Sequence, residues 1–201
     1  MKKLKLPVMV LAVLFLAANA PALEIISAAP VKTPKGQTAD FVLSGSITVK
    51  GIAFEKGAVV MPVTENKGRT YTDIKLLSKG LYSRLEGCFA KGKCASAGPY
   101  KLPELAVSKV QALKSPKRVA NVTLAFDGDL VVTFGAIKKY SGDIFAAYPD
   151  NFEVNDEALK GLIEKKVAEG YQNAGKDAKP AADKEKVPAA GGGPAPKKAS
   201  K

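Results

Sequence analysis

Large apolar residues alternate on both sides of one Asp-Gly pair: Val122, Leu124 and Phe126 precede it, and Leu130, Val132 and Phe134 follow it. A period of two puts each trio on one face of a strand, and Asp127-Gly128 tolerates the left-handed backbone of a tight turn. The stretch 118–138 therefore predicts a β-hairpin. A two-residue loop would pair Leu124 with Val131 and set the trios on opposite faces. A three-residue loop with Gly128 left-handed pairs even positions with even, and is the preferred register. The competing reading has Val119, Val122 and Phe126 lining a helix that stops at Gly128, with 129–137 left as a strand.

Around this segment the chain has the punctuation of one small α/β or α+β domain, with a small mixed sheet and two or three packed helices. Residues 40–66 are rich in β-branched side chains and are cut by Gly45, Gly51 and Gly57 into two or three strands. The run Ala58-Val59-Val60-Met61-Pro62-Val63 reads as a strand buried on both faces, ended by Pro62. In 73–89 the spacing of Ile74, Leu77, Leu81 and Leu85 predicts an amphipathic helix capped by Thr72 and stopped by Gly87, with Gly80 as a position of close packing on the sheet. A second helix is expected over 102–115, using Leu105, Val110 and Leu113. A third is expected from Asp156 to Gly170, preceded by Asn155 and burying Leu159, Leu162, Ile163 and Val167.

The ends of the chain carry a different message. Lys2, Lys3 and Lys5 precede a run of about 13 apolar residues, shorter than the roughly 20 that cross a bilayer, and small residues follow it. Residues 1–22 thus read as a secretory signal peptide, with cleavage after Ala22 preferred over Ala20 because the latter leaves Pro21 first. The expected location is the periplasm or the exterior. Removing the three signal lysines takes the formal charge from +12 to +9, and from Ala174 onward seven Lys face three acids. Residues 173–201 are an Ala/Lys/Pro/Gly-rich tail with too few large apolar groups to order itself. Its lysines, Lys176, Lys179, Lys184, Lys186, Lys197, Lys198 and Lys201, suit salt-sensitive contact with an anionic envelope polymer, lipid surface or protein. Residues 23–172 form the expected single domain, with 23–40 as an arm of uncertain order.

One family resemblance is carried by the order of segments. AVVMPVTEN, the segment DIKLLSKGLYSRLEGCF, then YKLPELAVSKV and GDLVVTFGAIKKYSG are similar to the TolB amino-terminal domain and the related curli-secretion and penicillin-binding-protein-activator lipoproteins. The similarity spans about residues 57–145 and implies an envelope α/β domain that binds other proteins. It brings no site residues with it, and this chain lacks the lipoproteins' Cys at the signal boundary.

Chemistry is restricted by composition. With no His among 201 residues, Ser-His-Asp and Cys-His nucleophiles, HExxH zinc sites and His-ligated haem are excluded. Gly87-Cys-Phe-Ala-Lys-Gly-Lys93-Cys94 contains GxxxxGK, but a helix is expected before it and Cys94 stands where a phosphate loop needs Ser or Thr. Cys88 and Cys94 in an exported chain read instead as a disulfide. Asp127 and Asp129 suit turn chemistry better than a cation site, and a hydrolytic carboxylate pair could be drawn from Asp127, Asp129, Asp143 and Asp150, although nothing in the sequence sets their separation. Tyr140, Phe145, Tyr148 and Phe152 form an aromatic cluster, read as core before partner surface. No catalytic, metal or cofactor residue is assigned, and nucleic acid is disfavoured as a partner. The expected function is non-catalytic docking of another envelope component, with the basic tail as an electrostatic tether. A soluble small-molecule binder or a carboxylate-dependent hydrolase is the alternative.

Overall fold

The computed structural model describes residues 22–96 and 100–177. In chain order its elements are β1 (Ile25–Ala28), β2 (Val31–Thr33), β3 (Gly36–Leu43), β4 (Ile47–Glu55), β5 (Ala58–Val60), β6 (Thr64–Asn66), β7 (Arg69–Tyr71), β8 (Ile74–Leu76) and α1 (Lys79–Lys91). There follow β9 (Cys94–Ala95), β10 (Leu105–Ala112), β11 (Arg118–Phe126), β12 (Leu130–Lys138), β13 (Ile144–Ala147), β14 (Phe152–Val154) and α2 (Glu157–Asp177). The fold is sheet-rich with two helices.

One sheet runs β14-β4-β3-β1-β9, with β2 beside β3 and β5 beside β4; the other runs β10-β11-β12-β13, with β8 also on β12. A separate ribbon joins β6 to β7, and every pairing among the described strands is antiparallel. That pattern belongs to α+β architecture, since parallel pairing needs crossover helices between successive strands.

The hairpin is present in the preferred register: Phe126 faces Leu130, Leu124 faces Val132 and Val122 faces Phe134. Gly128 is left-handed (φ 68°), and so is Asp127 before it (φ 48°), while the Asp129 amide closes the turn on the Phe126 carbonyl at 2.9 Å. Even positions are buried from Ala120 to Phe126 and from Leu130 to Ala136. Their face meets α2 and also Phe152 of the other sheet, whose ring centre lies 5.5 Å from that of Phe126 and 5.8 Å from that of Phe134. Phe41, Leu43, Ile47, Val49 and Ile52 complete this single core from the first sheet, and Leu81, Leu85 and Phe89 from α1.

Several sequence expectations are corrected. Residues 73–77 do not start a helix: Ile74–Leu76 is an edge strand on Leu130–Val132, and α1 begins after Ser78, whose hydroxyl accepts the Leu81 amide at 3.0 Å. A free edge on β12 takes Ile74 into the core, leaving Leu77 exposed. Gly87 lies inside α1, which Gly92 ends in the left-handed conformation (φ 72°). Gly80 meets only the Arg84 and Ser78 side chains, not a sheet. Residues 105–112 are strand β10 and not a helix, because the whole length of β11 is available for pairing and local helix propensity is a weak prior against that. The run 58–63 is an edge: β5 pairs with β4 alone, and Val60 and Val63 are exposed. Asp156, not Asn155, caps α2, accepting the Leu159 amide at 2.8 Å. Gly170 lies within that helix, where an added Cβ would come 3.2 Å from Val122 Cγ1. Leu162 faces out, and the helix continues to Asp177, past the tail boundary expected at 172. Residues 23–40, whose order the sequence left open, supply β1, β2 and part of β3, with Leu23, Ile25, Ala28 and Ala39 in the core.

Candidate functional site

The hairpin that starts the core also carries the most distinctive surface. Strand β12 leaves the core at Lys138, whose amide bonds the Lys117 carbonyl at 2.8 Å, so the end of β12 lies beside the entry to β11. The chain then turns: the Lys139 amide bonds the Asp143 carbonyl at 2.9 Å, the Gly142 amide bonds the Lys139 carbonyl at 3.0 Å, and the Ser141 hydroxyl donates to Asp143 at 2.6 Å. Strand β13 returns with Phe145 opposite Ile137. These constraints leave Tyr140 fully exposed at the tip.

Between the tip and the loop before β11 lies an open concavity of about 890 Å³, lined by the apolar Pro116, Ile137 and Phe145 together with Lys117, Lys138, Lys139, Tyr140 and Ser141. Lys139 Nζ sits 5.3 Å from the centre of the Phe145 ring, an arrangement in which the ring face attracts the cation. A lining that mixes apolar side chains with three lysines is complementary to a ligand that is both anionic and partly apolar. Ser141 also lines the concavity, with its hydroxyl given to the Asp143 carboxylate.

The aromatic cluster expected from the sequence is thus divided. Phe152 and Tyr148 pack on Phe134, Tyr148 edge-on at 5.2 Å, and burial pushes the Tyr148 phenol up to about 12, with nearby Glu164 and Glu157 acting in the same direction. Tyr140 and Phe145 belong to the surface. Sequence reasoning missed Lys117, Lys138 and Lys139, although the basic pairs KR and KK flank the hairpin and could have marked both of its open-end strands.

The remaining candidates have structural duties. Cys88 and Cys94 form a disulfide with Cα atoms 5.3 Å apart, joining the last turn of α1 to β9. Asp127 accepts the Glu104 amide at 2.7 Å, and burial holds its carboxyl above the ordinary range against the pull of that bond. Asp129 accepts the Leu23 amide at 2.9 Å and faces Arg84 at 3.4 Å. Asp143 closes the tip of the β12–β13 turn, and Asp150 is exposed in the turn before β14. Among the described residues no three Cys, Asp or Glu side chains gather as metal ligands. Lys176 lies in the last turn of α2, whereas Lys179, Lys184, Lys186, Lys197, Lys198 and Lys201 lie outside the described residues, as does the expected signal peptide up to Pro21.

No protein-family model, curated protein or solved structure matches this chain. Its function therefore has to be argued from its own surface. A disulfide suits an oxidising compartment, and no helix among the described residues is long and apolar enough to cross a membrane.

Proposed function

We propose that this is a non-catalytic exported envelope protein that docks an acidic segment of another envelope protein, with the lysine-rich residues beyond α2 as an electrostatic tether. The observation that carries the reading is the concavity that Lys117, Lys138 and Lys139 line together with Phe145 and the exposed Tyr140, with Lys139 over the Phe145 ring. Exposed aromatic residues beside cations are typical anchors of protein interfaces. The TolB-like reading of residues 57–145 stands beside this proposal and agrees with it in class. Export is supported by the lysine-led apolar run and the disulfide.

Cell fractionation with a salt wash tests it, comparing the full chain, a chain ending at Asp177, which keeps all of α2, and a Lys138→Glu/Lys139→Glu variant of each. The expected result is retention in the envelope at low salt, weakened by the charge reversal and more strongly when the tail is also removed. Free release of every form with the soluble contents at low salt overturns docking. Retention that depends on the tail and is indifferent to Lys138 and Lys139 removes the groove from the proposal.

A further inference from the structure

Leu23 and Glu24 are held without slack. Leu23 is fully buried while Ala22 before it is exposed, and the next residue is tied down twice: the Glu24 amide donates to Ser44 Oγ at 3.2 Å and the Glu24 carbonyl accepts the Ser44 amide at 2.7 Å. The Leu23 nitrogen points at Asp129 Oδ2, 2.9 Å away, and the Leu23 carbonyl accepts Arg84 Nη2 at 2.9 Å.

Asp129 is 8% exposed and needs compensation there, since a buried carboxylate without a close cation is costly. Its cation is Arg84 at 3.4 Å, longer than a charge-assisted hydrogen bond of about 2.7–2.9 Å. The nearest donor is the Leu23 nitrogen, which in the intact chain is a neutral amide. The Asp129 backbone meanwhile accepts the Leu77 amide at 2.8 Å and the Ser78 amide at 3.4 Å, so this turn also holds the start of α1.

We propose that Ala22–Leu23 is the processing site of this protein, and that the α-ammonium exposed by cleavage pairs with the Asp129 carboxylate to lock β1, α1 and the β11–β12 turn together. Water adds across the Ala22–Leu23 amide: its oxygen becomes part of the Ala22 carboxylate, and the nitrogen leaves as an amine that is protonated near neutral pH. The ammonium keeps the donor already aimed at Asp129 and adds a full charge to it. Cleavage after Ala20 would leave Pro21-Ala22 ahead of Leu23 and keep that nitrogen an amide; cleavage after Leu23 would remove a core side chain.

This inference rests on the export reading, and its test separates the two. A chain released at Leu23 from a cleavable fusion is compared with one carrying Pro21-Ala22 before it, each with Asp129 or with Asp129→Asn. The Leu23 chain should melt about 3–6 °C higher than the extended one, and Asp129→Asn should abolish that difference; equal melting temperatures overturn the ion pair without any substitution being needed. Amino-terminal sequencing of the exported protein should begin at Leu23. A start at Pro21 or Ile25 overturns the processing site alone, whereas a chain that keeps Met1 and stays inside the cell overturns the export reading together with it.

Discussion

The Asp156 carboxylate serves two masters at the start of α2, accepting the Leu159 amide as helix cap and the Tyr100 hydroxyl from the loop before β10. The Tyr100 bond, then the backbone amides, hold its carboxyl below the ordinary range, and the same bond is the main reason that the Tyr100 phenol is pushed up to about 12. Because the folded carboxyl titrates lower than the unfolded one, its contribution to stability is complete above about pH 4 and is lost as pH falls through the folded value. The phenol works in the opposite sense: its contribution is complete below about pH 10 and is lost as pH rises through the folded value. In Tyr100→Phe the Asp156 carboxyl should titrate closer to an ordinary aspartate, which a carboxyl-carbon NMR titration reads directly; an unchanged midpoint removes Tyr100 as the cause. In the sequence Asp156 opens the helix pattern with Asn155 just ahead of it. Both residues suit the role of cap, and Asn155 is withdrawn by a partner distant in sequence, donating to Thr48 Oγ1 at 3.0 Å.

Elements are where local pattern and tertiary pairing compete. Leu81 and Leu85 were legible as a helix face, yet the same apolar rhythm extends back through Leu77 to Ile74, where a strand edge on β12 takes over. Periodicity of 3.6 and of 2 overlap across so short a stretch, and only the neighbouring strand decides between them. The segment 105–112 has the same history, with β11 as the deciding neighbour. The disulfide acts at this scale too, since it fastens α1 to β9, which pairs with β1 through Ser27–Ala95 and Ala28–Cys94. Closing so short a loop contributes about 2 kcal/mol in the chain-entropy account. The Cys88→Ala/Cys94→Ala protein should therefore melt about 4–8 °C lower; a melting temperature equal to that of the oxidised parent would show that the bridge adds nothing to what β9 already holds.

At the scale of the whole molecule, Phe152 is the joint between the two sheets, paired through β14 to Val49 of β4 and touching Phe126 and Phe134 of the hairpin. One core shared by both sheets should unfold as one unit. Phe152→Ala should cost about 3–5 kcal/mol, with far-UV circular dichroism and tyrosine fluorescence still reporting one coincident transition. Two separated transitions in the parent would mean that the sheets are independent domains.

By itself the sequence determined the features that depend on nearest neighbours: the hairpin about Asp127-Gly128, its even-to-even register, the Cys88–Cys94 pairing, and the buried Leu81 and Leu85 of α1 and Leu159, Ile163 and Val167 of α2. Each follows from backbone sterics, side-chain period or a short covalent loop, and needs no knowledge of what lies across the core. Tertiary structure alone decided that 74–76 and 105–112 are strands, that Leu23 opens the core, and that Lys117, Lys138 and Lys139 line one concavity with Phe145. Those outcomes depend on partners far along the chain, whose pairing and burial outweigh local preferences of a fraction of a kcal/mol per residue.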